Sequence, residues 1–278
     1  MWELTKLTPE QFSRFRDFIY AETGIRMQDG KITLLSNRIR RRLKKLGIES
    51  FDDYYTRLTT RKLPDELEHF IDAVTTNETH FFRHGTHFDW FQGPFLDDLA
   101  ARARAGRHDR SLRIWSAACS SGEELYTLAI CLNEAAAKLA GWKISLLGTD
   151  ISETALAAAR AARSPRRSLE HVSQERLRKH FKVDATGEQW ELRPQLREMC
   201  EFRRHNLLEP LPGPRHDVVV VRNVMIYFDR DSKKVAVQNL LSALAPGGFL
   251  VVGPADGIFD LLDGLEKQST FVYRKPDV

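Results

Sequence analysis

Cysteine and long apolar runs are scarce in this 278-residue sequence. The three cysteines, Cys119, Cys131 and Cys200, form no CxxC pair, which favours reduced thiols over disulfides or a zinc knuckle. No apolar run reaches membrane-spanning length, and the first residues lack the apolar segment of a secretory signal. Internal repeats and low-complexity segments are also missing from the sequence. These features predict a soluble, cytoplasmic protein.

Neither sign of charge dominates. The chain has 42 Lys and Arg residues against 38 Asp and Glu residues, a net charge of +4. Such a balance permits a basic patch but does not indicate a polycation. Apolar residues make up 42% and charged residues 29% of the chain, as in ordinary globular proteins. The length allows one large domain or two of ordinary size, and we predict a monomer.

Residues 1–74 are predicted to form a helical domain. Thr8 and Pro9 have the order expected of an N-cap followed by the first helical residue, and Gly24 ends that helix. A second helix has apolar residues at spacings of three and four over 32–46. Its other faces lack acidic residues and are strongly basic, which indicates either a solvated face or a dock for an acidic partner. The basic residues are Arg38, Arg40, Arg41, Arg42, Lys44 and Lys45.

Residues 75–92 join this helical domain to the rest of the chain. His80, His84 and His87 have a spacing that could place metal ligands on one helical face. No carboxylate or cysteine partner is nearby and Gly85 interrupts the helix, so we predict no metal and a hinge packed by aromatic residues.

From residue 93 onward, strands alternate with helices, which predicts a parallel sheet covered on both faces. The central stretch, 112–124, runs from a strand through small residues into a helix that begins with Glu123 and Glu124. Small residues let a ligand approach the backbone, but carboxylates at a helix start repel a pyrophosphate and favour a ligand with an ammonium group, such as S-adenosylmethionine (SAM). Simple helix capping is the alternative. Asp150 ends the next strand, where it could bind both ribose hydroxyls or cap the following helix.

A small insertion is predicted at 164–200, after a helix over 152–163. Within it we expect a helix from Ser173 to Phe181 and short strands at 190–193 and 199–203 around a turn at Gly187. The remaining predicted elements are a third strand ending at 203–207, a central strand at 217–221, a helix capped by Asp231 or Ser232, a strand at 249–252 and a final antiparallel edge strand at 269–274.

Six motifs in this order resemble the CheR-type chemotaxis receptor glutamate O-methyltransferases over nearly the whole chain. They are TTNETHFFR (75–83), WSAACSSGEE (115–124), TDIS (149–152), HNLL (205–208), RNVMIYFD (222–229) and LAPGGFLVVG (244–253). The resemblance implies a Rossmann-like class I SAM-dependent methyltransferase domain at 93–278, with a small inserted β-subdomain, preceded by an all-helical domain. It also implies that the segment 75–92 contributes to the cofactor site.

Carried over residue by residue, the resemblance implies roles around SAM. Asn77, Thr79 and Arg83 would line its methionine end, Glu123 would take its ammonium group and Asp150 its ribose. Asn206 and Leu207 would bracket the adenine, and Asn223 and Val224 would close the pocket. Arg83 and Tyr227 would lie nearest the methyl group and contribute to catalysis. Glu124 is left as a capping residue.

The chain departs from the family pattern in two places. A Gly-His-Ser-Glu run often follows the late strand, whereas this chain has Gly253-Pro254-Ala255-Asp256, which places a site role for that loop in doubt. The loop 184–189 is short beside relatives whose β-subdomain grips the C-terminal pentapeptide of a receptor, so we expect a pentapeptide-independent member.

The expected activity is methyl transfer from SAM to glutamate carboxylates of chemoreceptors, giving methyl esters. One alternative is a nucleic-acid methyltransferase, but RNVMIYF stands where amine-methylating enzymes have an Asn/Asp-Pro-Pro-aromatic run, and no nucleophilic cysteine stands there for cytosine chemistry. A SAM-binding signalling module without turnover is the other alternative, and the sequence leaves it open.

Overall fold

The computed structural model of the protein describes residues 6–277, so the outermost residues of the predicted ranges 1–74 and 93–278 lie outside it. Four helices form the N-terminal part: α1 Pro9–Thr23, α2 Ile32–Leu46, α3 Phe51–Thr59 and α4 Glu66–Val74. The predicted start and end of α1 are confirmed, because Thr8 and Gln11 form a reciprocal capping box and Gly24 adopts the left-handed conformation. A common apolar core joins the helices through α1, α2, α3 and α4 side chains such as Phe15, Ile39, Tyr54 and Phe70.

Two further helices, α5 Gly85–Trp90 and α6 Leu96–Arg104, are joined by a π-helical turn at Phe91–Phe95. They lead into a seven-stranded sheet with the order β6-β2-β1-β7-β8-β10-β9. Its strands are β1 Ser111–Ala117, β2 Lys143–Asp150, β6 Cys200–Arg204, β7 His216–Val221, β8 Leu244–Val252, β9 Glu266–Lys267 and β10 Val272–Arg274. The first five named pair in parallel, and β10 pairs antiparallel with both neighbours.

Apolar side chains cover both faces of this sheet. Along β1, Ile114 belongs to one apolar core and Trp115 to the other, as expected when successive side chains point to opposite faces. The helices that pack on the sheet include α7 Glu123–Glu134, α8 Glu153–Ala161 and α11 Arg230–Ala243. The predicted architecture, an α/β domain preceded by helices, is confirmed. Within residues 6–277, no helix combines the length and apolar character needed to cross a bilayer.

The inserted segment forms a separate three-stranded antiparallel sheet in the order β3-β5-β4. Its elements are β3 Arg163–Pro165, α9 Gln174–His180, β4 Phe181–Val183, β5 Gln189–Leu192 and the short α10 Pro194–Arg197. Three sequence-based assignments were wrong here. Arg163 begins a strand instead of ending a helix, and Phe181 likewise begins β4. The strand predicted at 199–203 is β6, which pairs with β2 in the large sheet.

Two assignments near the C-terminus were also wrong. Asp229, and neither Asp231 nor Ser232, caps α11, because its carboxylate accepts a hydrogen bond from the backbone N–H of Ser232 at 2.9 Å. The last strand, β10, lies inside the sheet, and the two-residue β9 forms the edge. A strand of two residues has little periodicity to reveal it in a sequence.

The helical part packs against the sheet at the carboxyl ends of its parallel strands. Ile25 forms a β-bridge with Phe228, and the backbone N–H of Arg26 donates to the carbonyl oxygen of Tyr227 at 2.8 Å. Asp72 on α4 accepts hydrogen bonds from Thr154 at the start of α8. The space between the two parts therefore lies where ligands of parallel α/β sheets bind.

Candidate functional site

A cavity of about 410 Å³ lies between the helical part and the sheet. Residues from the ends of four parallel strands line it: 118–120 after β1, 150–151 after β2, 205–207 after β6 and 222–224 after β7. Residues of the segment 75–83 and of α2 form the opposite side. Nine of the ten sequence-predicted site residues line this one cavity: Asn77, Thr79, Arg83, Asp150, Asn206, Leu207, Asn223, Val224 and Tyr227. Arg38 of the basic helix, which was predicted to dock a partner, lines it as well.

The loop after β1 brings the backbone close to this cavity. Ala118, Ser120 and Gly122 all have positive φ angles, of 61°, 52° and 92°. A side chain at Gly122 would meet Ala159 and Tyr126 at 3.0–3.1 Å, so this turn requires glycine. The tight turn places the start of α7 beside the end of β1.

Glu124 lines the cavity, whereas Glu123, to which the sequence analysis assigned the ammonium group of SAM, does not. Glu124 Oε1 accepts from Ser116 Oγ at 2.7 Å, and Oε2 accepts from Arg222 Nη1 at 3.0 Å. Glu123 is 3% exposed and accepts from the hydroxyl of Ser121 at 2.7 Å; burial raises the pKa of its carboxyl. The sequence did not distinguish them because adjacent residues at a helix start point in different directions.

Asp150 lies at the end of β2, with 5% of its surface exposed. Its Oδ2 accepts from the backbone N–H of Ser120 at 2.8 Å, and Oδ1 from that of Ser152 at 2.9 Å. Burial raises the pKa of this carboxyl, although the backbone N–H groups oppose the rise. Ser152 caps α8 with its own hydroxyl, so capping does not require Asp150.

The segment before Arg83 is held over the cavity from two sides. Ser120 Oγ donates to the carbonyl oxygen of Asn77 at 3.2 Å, and Arg38 on α2 donates to the carbonyl oxygens of Val74 and Thr75. Arg83 itself is half-buried, and its Nη1 donates to the carbonyl oxygen of Glu78 at 3.2 Å. The four remaining donors of its guanidinium can therefore face a ligand.

The wall after β7 depends on one buried carboxylate. Asp256, fully buried, accepts from the backbone N–H groups of Asn223, Val224, Met225 and Gly253 at 2.8–3.2 Å. Asn223 has a φ of 60°, so this wall turns sharply and needs such support. The loop 253–256, whose role the sequence left in doubt, therefore shapes the cavity. In the sequence, the only indication of this role is the acidic residue at position 256.

Asn206 and Leu207 lie after β6, and both line the cavity. The side-chain amide of Asn206 is already engaged: Nδ2 donates to the carbonyl oxygen of Glu22 at 2.9 Å, and Oδ1 accepts from the backbone N–H of Leu208 at 3.1 Å. Asn206 therefore joins the helical part to the strand end and orients Leu207, which is buried.

Two of the six cations predicted to dock a partner make contacts within the protein: Arg42 pairs with a buried carboxylate, and Arg38 binds backbone carbonyl groups. Arg42 makes a two-pronged ion pair with Glu66, which is 2% exposed, at 2.6–3.0 Å. Arg38 holds the segment 74–76 as described above. Arg41, Lys44 and Lys45 are exposed, and Arg40 is partly buried and has partners. The sequence could not separate these roles, because the stripe of cations winds around the helix.

The three histidines of the joining segment have different surroundings. His80 packs on His171, His84 is exposed, and His87 is buried with Nε2 3.1 Å from the carbonyl oxygen of Val252. Among residues 6–277, no three His, Cys, Asp or Glu side chains are grouped to hold a metal ion.

Two models of one protein family match the chain. The all-alpha domain of the CheR methyltransferases matches residues 10–75, and their SAM binding domain matches residues 77–273. The chain belongs to the CheR methyltransferase family.

Curated CheR relatives resemble the chain over most of its length. It is 37% identical over 255 residues to chemotaxis protein methyltransferase 2 of Pseudomonas aeruginosa, covering 90% of this chain and 87% of that protein. It is 34% identical to the chemotaxis protein methyltransferase of Salmonella typhimurium, covering 98% of this chain and 92% of the relative. The Escherichia coli protein of the same name is 34% identical, with 94% of this chain and 89% of the relative covered.

The cofactor predicted for this CheR-family chain, SAM, is confirmed by the match to the SAM binding domain. The cavity residues fit such a ligand. Each oxygen of Glu124 and of Asp150 accepts one hydrogen bond from the protein and retains a lone pair, for an ammonium or a ribose hydroxyl. Leu207 and Val224 offer apolar surface for an adenine ring.

Proposed function

We propose that this chain transfers the methyl group of SAM to glutamate side-chain carboxylates of chemoreceptors, giving glutamate methyl esters. The observation that carries the proposal is the single cavity in which Arg83 and Tyr227 lie together with Glu124 and Asp150. The names of the relatives support a substrate in the chemotaxis pathway. Such a substrate belongs to the cytoplasmic part of a receptor, so we expect a cytoplasmic enzyme. We also propose that the enzyme is a monomer.

We assign Asn77, Thr79 and Arg83 to the methionine end of the cofactor, Glu124 to its ammonium group and Asp150 to its ribose. Adenine would lie between Leu207 and the Asn206 backbone, with Asn223 and Val224 as the closing wall. We also propose the domain division 1–74, 75–92 and 93–278, with 164–200 inserted. The two family matches, which meet between residues 75 and 77, support its first boundary.

The chemistry requires little beyond binding and orientation. A glutamate carboxylate is ionised at neutral pH, so no general base is needed to activate it. SAM supplies a methyl group on a sulfonium cation: as the bond from carboxylate oxygen to methyl forms, the bond from sulfur to methyl breaks, and S-adenosylhomocysteine leaves. Arg83 would orient the incoming carboxylate through its free donors, and Tyr227 would donate a hydrogen bond that fixes one oxygen. Because the positive and negative charges disappear together, a cavity that excludes water favours the reaction.

The assignment of Arg83 and Tyr227 is tested by Arg83→Ala and Tyr227→Phe. Receptor methylation by labelled SAM should fall by more than about tenfold in each, because an oriented carboxylate is lost. Arg104→Ala, in an exposed residue of α6 at the opposite end of β1, is the matched control. Unchanged transfer in Arg83→Ala would refute its role.

The same labelling distinguishes the alternative functions. Base-labile label on the receptor supports the methyl ester. Label on RNA or DNA contradicts the proposal and favours a nucleic-acid methyltransferase. Cofactor binding without label on any acceptor also contradicts it, and favours a signalling module without turnover.

The exposed cations of α2 are proposed to dock the receptor. Arg41, Lys44 and Lys45 form an exposed basic surface on the helix that also carries Arg38 to the cavity. Receptor methylation regions are helical and rich in glutamate, so attraction between them should weaken as salt rises. Reversing these three charges to Glu should raise the KM for receptor at low salt and leave cofactor affinity unchanged. Reversal of Arg104, Arg107 and Lys143, exposed cations at the opposite end of the sheet, is the control.

The loop 184–189 of the inserted sheet supports a proposal about how the receptor is recognised. Its loop 184–189 is closed on itself, because Asp184 Oδ1 accepts from Thr186, Glu188 and Gln189. We propose that binding needs no C-terminal pentapeptide. Removing the last five residues of a receptor should then leave its methylation rate unchanged, and a loss of rate would contradict this.

A further inference from the structure

One buried guanidinium joins three segments around the cavity. The Arg222 side chain, 2% exposed, follows β7 and donates from Nη1 to Glu124 Oε2 at 3.0 Å. Its Nη2 donates to the carbonyl oxygen of Arg83 and to Nδ1 of His84, the latter at 3.0 Å. The carboxylate assigned to the cofactor ammonium and the segment that carries Arg83 are thus fixed by the same side chain.

The contact with His84 exists in only one protonation state of the imidazole. A guanidinium has donors and no acceptor, so Nδ1 of His84 must be unprotonated to receive the hydrogen bond, with the ring proton on Nε2. A proton on Nδ1 would make Nδ1 a hydrogen-bond donor that points at the N–H donor of Arg222 Nη2. It would also place a second positive charge beside Arg222. His84 is exposed, so solvent can deliver that proton without unfolding.

Among residues 6–277, the titratable and charged groups that act on His84 are cationic or neutral. Arg222 faces it from the end of β7, and Arg83, His80 and His87 face it from its own segment, with 5.7 Å between the His84 and His87 ring centroids. Desolvation of the ring, followed by the charges of Arg222 and Arg83, lowers the pKa of His84. These charges favour the neutral imidazole, which is the form that can accept a hydrogen bond from Arg222.

We propose that Arg222 is a positioning residue of the cofactor site. When His84 is protonated, Arg222 loses its hydrogen bond to Nδ1 and positions Glu124 and the segment of Arg83 less firmly, so that affinity for SAM falls in mildly acidic solution. The inference rests on the proposed function only for its assignment of Glu124 to the cofactor. Arg222 acts through Glu124 and through the backbone of Arg83.

The first test measures the dissociation constant of SAM by calorimetry, from about pH 8 down to about pH 5, because the lowered pKa of His84 moves its titration toward the acidic end of the usual histidine range. In the wild-type chain the constant should rise at least about twofold over this range, with the rise concentrated in its acidic part. His84→Asn retains an oxygen acceptor near the position of Nδ1, tolerates the φ of 60° at this residue and cannot titrate. This variant should bind SAM with the wild-type dissociation constant near pH 8. As the pH falls, its dissociation constant should rise less than that of the wild type.

His69→Gln removes an exposed histidine on α4 and should leave the wild-type profile unchanged. Titration of Asp150, whose pKa burial raises, is common to all of these variants and does not affect their comparison. A His84→Asn profile as steep as that of the wild type overturns the inference.

The second test is Arg222→Lys, which keeps the charge but has a single nitrogen in place of Nη1 and Nη2, so it cannot contact Glu124 and the 83–84 segment in the same geometry. The dissociation constant of SAM should rise at least tenfold near pH 8, and its dependence on His84 should disappear. Wild-type affinity in this variant overturns the inference. If the variant does not fold, as judged by circular dichroism, the His84→Asn profile still decides.

These tests read cofactor binding and not methyl transfer. A chain that shows the expected profile but does not methylate receptor refutes the proposed function and leaves this inference standing. A chain that methylates receptor, with an affinity for SAM indifferent to His84 and Arg222, refutes this inference alone.

Discussion

Replacing Asp256 by Asn should damage both the stability of the protein and its cofactor site. Its carboxylate accepts from the N–H groups of Asn223, Val224, Met225 and Gly253. The side-chain amide of Asn keeps one acceptor oxygen and turns two donors toward the other N–H groups. Two buried N–H groups then lose their acceptor, at about 1–3 kcal/mol each, or about 2–6 kcal/mol together.

The loss is measured as the free energy of unfolding in urea and as the midpoint of thermal unfolding. A cost of about 2 kcal/mol lowers the midpoint by about 3–4 °C in a protein of 278 residues. The dissociation constant of SAM should also rise, because Val224 lines the cavity. Asp260→Asn, at an exposed carboxylate paired with Arg230, is the control and should change neither quantity. An Asp256→Asn variant as stable as the wild type would refute the reasoning.

Three further predictions follow from the ionic groups. Burial opposes ionisation of Glu134, but hydrogen bonds from Arg176, Gln92 and His180 outweigh it and lower its pKa to about 2. The unfolded chain therefore binds this proton first, and stability present above about pH 4.5 should be lost as the pH falls toward 2; urea unfolding of Glu134→Gln should show a shallower loss. Glu124→Gln should weaken SAM binding at least about tenfold in calorimetry, whereas Glu123→Gln should change it less than about threefold, and the reverse order would restore the sequence-based assignment. Arg42→Ala should lower the free energy of unfolding by about 3–5 kcal/mol, since it strands the buried Glu66, and a loss below about 1 kcal/mol would contradict this.

Much of the fold could be predicted because local signals agreed with tertiary packing. The caps at Thr8 and Gly24 and the apolar stripe of α2 fix those helices before any long-range contact is considered. The apolar run of β7 likewise predicts a central strand, buried on both faces. Where the pattern was weak, as in β9 and β6, pairing with distant strands decided the structure, and the sequence offered no means to find the partner.

The candidate site was predictable as a set of segments and less so as a set of atoms. Strand ends of a parallel sheet meet at one edge, so motifs far apart in sequence converge there. Which of two adjacent glutamates faces the ligand depends on the direction of each side chain at the helix start. Arg38 and Arg222 donate hydrogen bonds to backbone carbonyl groups, and the pattern of side chains in a sequence does not indicate where such carbonyl groups lie. The roles of these two residues therefore follow only from the three-dimensional positions of the backbone.

The carboxylate of Asp256 also restricts which residue can occupy position 253. A Cβ placed on Gly253 would collide with Asp256 Oδ2, and it would also lie 3.1 Å from the backbone nitrogen of Asn223. The two residues therefore constrain each other, since any side chain at 253 displaces the carboxylate that supports the loop after β7. Variation in natural or engineered descendants of this chain should be correlated at these positions. A selection experiment that randomises both codons should recover paired changes and few single ones.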